Sequence, residues 1–314
     1  MAENTVKKIA TRESYGNSLK ELAEEFPNLV VLDADLAAAT KTGIFRKAYP
    51  DRHIDCGIAE ENMMGVAAGL SLVGKIPFVS SFAMFAAGRA FEQVRNSIGY
   101  PHLNVKIGAT HAGITVGEDG ATHQCNEDIA LMRTIPGMVV MCPSDDVEAR
   151  AAVRAALEYE GPVYIRFGRA AVPVINDHPD YHFEIGKGTV VREGKDVTIV
   201  ATGICVDSAL GAAKMLEEEG ISAEVVNICT IKPLDEEIIL NSAKKTGKVV
   251  TVEEHSVIGG LGSAVCDCLC AHYPVPVKKV GMQDVFGESG SAAALVEKYG
   301  LDAKGVYKSV KEFL

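Results

Sequence analysis

The sequence predicts an α/β protein with two domains, each a mostly parallel sheet covered by helices. Short, continuous apolar runs, typical of strands buried on both faces, alternate with segments that have apolar residues at helical spacing. This alternation stops between residues 173 and 182 and then starts again. The 314 residues also exceed what a single core usually serves. We therefore expect a first domain at residues 1–172, a linker at 173–190 and a second domain at 191–314.

The first domain begins with a polar lead-in over residues 1–10, followed by a helix. Leu19, Leu22 and Phe26 give that helix an apolar stripe, and a Pro-Asn pair ends it. A later helix, capped by Ser144 or Asp145, is expected to run to residue 158. The same patterns predict strands at 29–32, 76–79, 105–108, 139–141 and 163–166, a short strand before Gly57, and helices after Gly57, at 86–98 and at 127–133.

The second domain repeats the alternation of strands and helices. Apolar runs predict strands at 197–201, 223–228, 248–252 and 277–280. Helical spacing predicts helices at 208–218, 235–243, 261–272, 291–298 and 303–313. Each strand is followed by a helix, which is typical of a second parallel sheet.

The composition excludes several classes of function. The net charge is −11, with 42 acidic and 31 basic residues, which argues against nucleic acid or an anionic membrane as the main partner. No apolar run approaches the roughly 18 residues of a membrane span. The N-terminal MAENTVKK lacks the apolar core of a signal peptide, so a cytoplasmic location is expected.

The eight cysteines include a closely spaced group, Cys266, Cys268 and Cys270. Their alternate spacing differs from the CxxC pair of a metal site. In a helix, 266 and 270 share a face and 268 does not. We expect these residues to be buried, reduced thiols.

The stretch 55–69, DCGIAEENMMGVAAG, carries two carboxylates, Glu60 and Glu61, where a helix begins. Acidic residues in a first turn commonly complement the helix dipole and do nothing else. Alternatively, one carboxyl group points into an apolar site, where burial raises its pKa and it can bond a heterocyclic ring nitrogen. The stretch by itself leaves both interpretations open.

Two later motifs favour a ligand site. The segment SSFAMF at 80–85 places Phe82 and Phe85 three residues apart, and GEDGATHQ at 117–124 carries acid, hydroxyl and imidazole groups. Together with GIAE and a later PSD, in this order, they resemble the pyrimidine-binding half of transketolases, enzymes that use thiamine diphosphate. The resemblance covers nearly the whole chain but only the second half of a full-length transketolase. It identifies the chain as the smaller subunit of a split transketolase.

The resemblance implies roles in cofactor binding. GIAE matches through its last residue, so Glu60, and not Glu61, would contact N1′ of the aminopyrimidine and favour its imino form. Phe82 and Phe85 would form the wall on which the pyrimidine stacks. Asp35 matches an acidic residue near the cofactor. The family's third aromatic position is Gly88 here, so a more open pocket is expected.

The resemblance also implies substrate contacts. His123 would bond the C1 hydroxyl and carbonyl region of the donor, as a second catalytic residue beside Glu60. Asp119 would bond a sugar hydroxyl and select stereochemistry. Three further residues would bind the phosphate of the acceptor: Arg12, His111 and Arg169. The family's serine in this cluster corresponds to Ala39 in this chain, which lacks the hydroxyl for one phosphate contact. Thr40 or Lys41 can supply that contact instead.

The chain lacks one part of the family's site. Thiamine diphosphate enzymes hold the diphosphate through a divalent metal bound by Gly-Asp-Gly and a later Asn, and no Gly-Asp-Gly occurs here. We therefore expect thiamine diphosphate and Mg²⁺ to require an N-terminal subunit that carries the metal ligands. Self-association across a two-fold axis would then give a heterotetramer acting on phosphorylated sugars.

Three alternatives remain at this stage. A carboligase like 1-deoxy-xylulose-5-phosphate synthase has similar GIAE and DGATHQ phrases. The β subunit of a 2-oxo-acid dehydrogenase has the same domain order, but GEDGATHQ fits it poorly. A non-catalytic relic of the fold is a third possibility, and the presence of Glu60, Asp119 and His123 argues against it.

Overall fold

The structure is a computed structural model that describes residues 7–314, so residues 1–6 of the expected lead-in lie outside the described residues. The strands are β1 (Lys8–Ala10), β2 (Leu29–Asp33), β3 (His53–Asp55), β4 (Ile76–Phe82), β5 (Lys106–Thr110), β6 (Val139–Met141), β7 (Val163–Arg166), β8 (Ala171–Pro173), β9 (Thr189–Arg192), β10 (Val197–Ala201), β11 (Ala223–Asn227), β12 (Thr230–Lys232), β13 (Val249–Ser256) and β14 (Val277–Met282). The α-helices are α1 (Thr11–Leu22), α2 (Ala37–Thr40), α3 (Gly43–Ala48), α4 (Glu60–Leu72), α5 (Phe91–Gln93), α6 (Asp128–Arg133), α7 (Asp146–Glu158), α8 (Cys205–Glu218), α9 (Glu236–Thr246), α10 (Leu261–His272), α11 (Ala292–Lys298) and α12 (Ala303–Phe313). Two π-helical stretches flank α5, and two short 3-10 turns complete the helical elements: Met84–Arg89 and Val94–Gly99, then Pro50–Arg52 and Ile114–Val116.

A seven-stranded sheet, in the order β12-β6-β7-β5-β4-β2-β3, forms the centre of the first domain. Strands β2 to β7 are parallel, and β12 joins the edge antiparallel to β6. Strands β2, β5, β6 and β7 are buried along their whole length, because apolar clusters pack on both faces. The carboxyl ends of β2, β3, β4 and β5 meet at one edge, where open α/β sheets bind ligands.

A five-stranded sheet, in the order β14-β13-β10-β11-β9, forms the second domain, and only β9 is antiparallel. Helices α8 and α12 pack on one face of it. Apolar residues of its other face and of α10, among them Val200 and Leu261, join one cluster with apolar residues of the first domain. The two domains therefore share part of their core. This architecture confirms the predicted α/β fold.

Three differences from the sequence-based prediction are local. Strands β1, β8 and β12 were not predicted, because each has only three residues, is partly exposed and lacks the continuous apolar run of a strand such as β6. Strand β9 begins at Thr189, inside the range assigned to the linker, and residues 174–188 contain no helix or strand. The single helix predicted at 86–98 is α5 with its two π-helical stretches. The proposed domain limits stay a prediction.

Arg166, at the end of β7, links the two domains from a buried position. Its Nε lies 2.9 Å from Asp128 Oδ2, and its Nη2 donates to the backbone carbonyl of Glu254 at 2.7 Å. The Glu254 carboxylate accepts a hydrogen bond from the backbone N–H of Thr115 at 2.7 Å. Gly113 has a φ of +71°, and a Cβ there would overlap with this carboxylate. The second domain thus fixes the base of the loop at residues 110–124.

The eight cysteines are all free thiols. In α10, Cys268 is buried, Cys266 is half-buried and Cys270 is exposed. The expected separation of faces is confirmed, but the expectation that all three are buried holds only for Cys268, because the face that Cys266 and Cys270 share turns toward solvent. Among residues 7–314, no helix is long and apolar enough to cross a membrane.

Candidate active site

Two carboxylates at the ends of β2 and β3 shape the first loop of the site. Asp33 is buried and accepts hydrogen bonds from the backbone of Leu36 and from the hydroxyls of Thr40 and Thr42, at 2.6 to 2.8 Å. Burial raises the pKa of Asp33, and these hydrogen bonds oppose the shift. Asp55 Oδ1 accepts from the backbone N–H of Asp35 at 3.0 Å.

Asp35 itself lies on this loop with a φ of +59° and an exposed side chain. The structure thus places the predicted Asp35 on the loop after β2 with its side chain exposed, and its role near the cofactor stays a prediction. Sequence reasoning did not assign to Asp33 and Asp55 the role of holding the loop in shape. Their position at the ends of strands was the available signal.

Glu60 begins α4 and is only 2 % exposed, whereas Glu61 is half-buried. Glu60 Oε2 lies 2.9 Å from Arg89 Nη1 in an ion pair. The carboxylate of Glu60, which the GIAE motif indicated, therefore points into the protein interior. Arg89, its partner, was not predicted, because the irregular backbone of the π-helical stretch leaves no periodic signal in the sequence.

The side chains of Phe82 and Phe85 lie side by side with ring centroids 5.9 Å apart and planes 12° apart. His111 stacks on Phe82 with a centroid distance of 3.9 Å, and His123 meets Phe85 edge-on at 5.4 Å. A Cβ on Gly88 would overlap with the methyl end of Met84. Met84 thus takes up space beside Gly88, and the expectation of a more open pocket there stays a prediction.

Three residues from distant parts of the chain form a cationic corner beside these rings. Arg12 Nη1 lies 3.0 Å from His111 Nε2 and donates to the carbonyl of Ala39 at 2.9 Å. Arg169 donates to the carbonyl of Val116 and lies 3.7 Å from Asp119 Oδ2. The predicted phosphate-binding residues therefore converge, which is the arrangement that an anionic group requires.

Ala39 contributes its backbone carbonyl to this corner, whereas the family's serine would contribute a side-chain hydroxyl. Of the two possible substitutes, Thr40 is buried and hydrogen-bonded to Asp33. Lys41 is half-buried and close enough to His111 to disfavour its protonation. Of the two, Lys41 therefore stays the expected substitute.

His111 is neutral in this arrangement. Because a guanidinium can only donate, Nε2 of His111 accepts from Arg12, and Nδ1 carries the proton that bonds Thr110 Oγ1 at 2.9 Å. Burial, and then the charges of Arg12 and Arg169, lower the pKa of His111 to about 3. His111 therefore positions Arg12 through one nitrogen and cannot itself supply a positive charge near neutral pH.

We expect the imidazole of His111 not to titrate between pH 5 and pH 8. Its native pKa lies below the unfolded value of about 6.5, so the unfolded chain takes up this proton first as the pH falls. Its contribution to stability is therefore retained above about pH 6.5 and lost progressively below it. Histidine NMR signals, assigned by difference against His111→Gln, measure this directly. A midpoint near 6.5 would contradict the assigned tautomer and environment.

The loop at residues 117–124 carries Asp119 and His123. It turns at Gly117 and Gly120, both with positive φ, and the backbone N–H of His123 donates to the carbonyl of Gly120 at 3.0 Å. His123 Nδ1 lies 3.0 Å from Thr122 Oγ1. Both predicted sugar-binding side chains therefore come from one tight turn beside the aromatic pair.

The second domain supports this turn through Gln124, which sequence reasoning did not identify. Its Nε2 donates to the carbonyl of Glu288 at 2.8 Å and to that of Ile114 at 3.2 Å. The last residue of the DGATHQ phrase thus connects the loop to the second domain. Within the part of the chain that the structure describes, no group of three or more His, Cys, Asp or Glu residues is arranged to hold a metal ion.

Comparison with known proteins identifies the families that both parts of the chain match. Residues 7–174 match the family described as transketolase, pyrimidine binding domain, and residues 186–306 match transketolase, C-terminal domain. The chain is 49 % identical to a 6-deoxy-6-sulfo-D-fructose transketolase chain of Clostridium sp. (strain MSTE9), over 96 % of this chain and 93 % of that one. It is 40 % identical to one of the chains of the apulose-4-phosphate transketolase of Phocaeicola vulgatus, over 98 % of each. A solved structure described as a split gene transketolase, inactive beta4 tetramer, has 59 % identity, a TM-score of 0.89 and 98 % coverage of both chains.

Proposed function

Because the chain belongs to the transketolase family and matches subunits of split enzymes, we propose that it is the pyrimidine-binding subunit of a ketol transferase. It contributes to the transfer of a two-carbon unit from a ketose phosphate to an aldose phosphate. The observation that carries this proposal is the buried Glu60 beside the parallel pair Phe82 and Phe85, with His123 at the edge of the pair. A cationic corner at Arg12 and Arg169 adjoins it.

The family depends on thiamine diphosphate, and the residues present fit its pyrimidine end. Two aromatic rings offer a stacking surface, and Glu60 is a buried carboxylate within reach of a nitrogen donor. When bound, thiamine diphosphate supplies the thiazolium carbon that carries the two-carbon unit. Glu60 would share a proton with N1′ of the aminopyrimidine. His123 would orient the donor's hydroxyl and carbonyl groups, and Asp119 would select the sugar's stereochemistry. Asp35 would lie near the cofactor.

The diphosphate end requires a partner, in this proposal. The sequence has no Gly-Asp-Gly, and the described residues offer no metal-binding group. We assign Mg²⁺ and the diphosphate to an N-terminal transketolase subunit, in a heterotetramer with two copies of each chain. The 59 % identical split-gene protein is described as an inactive beta4 tetramer, which supports both self-association and the need for a second chain. The expected cytoplasmic location stays a prediction.

The cationic corner favours sugars that end in an anionic group. Two relatives are named for such sugars, one with a sulfonate and one with a phosphate. Arg12 and Arg169 offer planar donor forks, which suit either oxyanion. We therefore propose phosphorylated sugars as substrates, with sulfonated sugars as the related possibility.

Replacing Arg169 with Ala should raise KM for phosphorylated acceptors by about tenfold, as expected for a lost hydrogen bond to a charged group. KM for short, unphosphorylated aldehydes should stay unchanged, since they do not reach this corner. Steady-state kinetics of the assembled enzyme with both acceptor classes measures the difference. Arg154→Ala is the matched control, because Arg154 pairs with Glu25 on the surface. Equal effects on both classes would remove Arg169 from the site.

The proposed reaction is tested by purifying the chain with its natural partner and assaying a panel of donors and acceptors. The panel includes pyruvate, the donor that a 1-deoxy-xylulose-5-phosphate-synthase-like carboligase would use. Ketol transfer from a ketose phosphate supports the proposal. Turnover with pyruvate as donor, and with no ketose phosphate, favours the carboligase. A complex that binds thiamine diphosphate without turning over any donor favours the non-catalytic relic of the fold.

A further inference from the structure

Arg89 contacts both groups on which cofactor binding depends. It is the last residue of the π-helical stretch Met84–Arg89, where the backbone N–H of Ala90 donates to the carbonyl of Phe85 at 3.1 Å. Its guanidinium carbon lies 4.5 Å from the centroid of the Phe85 ring. Its Nη1 lies 2.9 Å from Glu60 Oε2. One side chain therefore covers an aromatic face and pairs with the buried carboxylate at the same time.

A guanidinium and an aminopyrimidine ring present the same chemistry to these two groups. Each is planar and stacks on an aromatic face, and the ring offers Glu60 an N–H donor, as the guanidinium does, when N1′ carries the shared proton. We infer that Arg89 competes with the aminopyrimidine ring of the cofactor for Glu60 and Phe85. The inference rests on the proposed function, because it takes these two residues as the ring's contacts.

The exposure of the two charged residues indicates which of them moves. The Arg89 side chain is 44 % exposed and can turn outward into water, whereas the Glu60 side chain is 2 % exposed and cannot. A buried carboxylate that loses its partner is strongly unfavourable unless another group replaces that partner. Arg89 thus keeps Glu60 paired until the ring takes its place.

This competition lowers the apparent affinity for the ring. A ligand that binds only the fraction of molecules with Arg89 turned outward binds more weakly in proportion to that fraction. Removal of Arg89 should therefore strengthen binding of the ring itself. If Arg89 were a cofactor ligand, its removal would weaken binding of the ring. If it were only structural support, its removal would leave that binding unchanged.

The test uses the purified full chain and 4-amino-5-hydroxymethyl-2-methylpyrimidine, the aminopyrimidine half of the cofactor without a diphosphate. This probe needs neither metal nor partner, and its affinity is measured by NMR saturation transfer. Arg89→Ala should bind the probe about tenfold more tightly than the unmodified chain, corresponding to an outward fraction of about one tenth. Arg89→Gln, which keeps a donor for Glu60 but no cation, should also bind more tightly.

Two controls complete the design. Arg95→Ala removes an arginine of the second π-helical stretch whose bond goes to Asn96, and it should leave the affinity unchanged. Methylguanidinium at low millimolar concentration should compete with the probe in Arg89→Ala, because it restores the missing group. Thermal unfolding of each variant establishes that it is folded.

Each outcome is decisive. Equal or weaker probe binding by folded Arg89→Ala and Arg89→Gln, with clear binding by the unmodified chain, overturns the inference and leaves the proposed function intact. Unchanged probe binding by Glu60→Gln removes Glu60 from the pyrimidine site and contradicts both. Absence of probe binding by every protein also contradicts both.

Discussion

Replacing Glu60 with Gln should slow exchange of the C2 proton of bound thiamine diphosphate by about 10²–10⁴-fold, the span usual for one general acid–base group. Gln keeps the shape of Glu and can still accept a hydrogen bond from Arg89. It cannot share a proton with N1′, so the imino form of the aminopyrimidine loses its support. The exchange rate is measured by NMR after acid quench, in the complex with the partner subunit.

Glu61→Gln is the matched control for this experiment. Glu61 is the next residue of α4 and is half-buried outside the Arg89 ion pair, so its replacement should leave the exchange rate unchanged. Both variants should unfold at temperatures close to that of the unmodified chain. An unaltered exchange rate in Glu60→Gln would show that another group does the work assigned to Glu60.

The purified chain should show no ketol transfer by itself, and addition of the N-terminal subunit should restore full turnover. The diphosphate has a charge of about −3 that must meet a metal ion or several cations. Three cations of this chain at the site, Arg12, Arg89 and Arg169, already bond groups within the chain. Lys41 lies beside His111 at the substrate corner. A coupled assay of the chain with and without its partner measures the difference.

The matched control for reconstitution is the assembled complex with Glu60→Gln. Such a complex should form normally and remain inactive, which separates assembly from chemistry. Restored turnover in the absence of any second polypeptide would contradict the assignment of the diphosphate site to a partner.

The sequence predicted the parts of the fold that depend on long periodic patterns. Apolar strands such as β2 and β5 are buried on both faces, so their composition alone indicates a covered parallel sheet. Strand β12 was not predicted. It has three residues, follows β11 of the second domain in the chain, lies at the edge of the first domain's sheet and has no sequence pattern of its own. Its place is set by pairing with β6, a contact between residues distant in sequence.

The sequence predicted the site residues that lie in recognisable motifs and missed those whose position depends on packing. Glu60, Phe82 and His123 lie in recognisable phrases, and the structure brings them to one edge of the sheet. Arg89 was missed, because a π-helical turn places it over Phe85 and this geometry has no periodic signature. The neutral state of His111 also depends on burial beside two arginines, which only the folded chain shows.

The central claim is that this chain holds the pyrimidine end of thiamine diphosphate and a second chain holds the diphosphate end. Titration calorimetry with thiamine diphosphate at millimolar Mg²⁺ tests it most directly, on the purified chain and on the complex with its partner. We predict weak binding by the chain, with no dependence on Mg²⁺, and tight, Mg²⁺-dependent binding by the complex. Tight, Mg²⁺-dependent binding by the purified chain would contradict the claim.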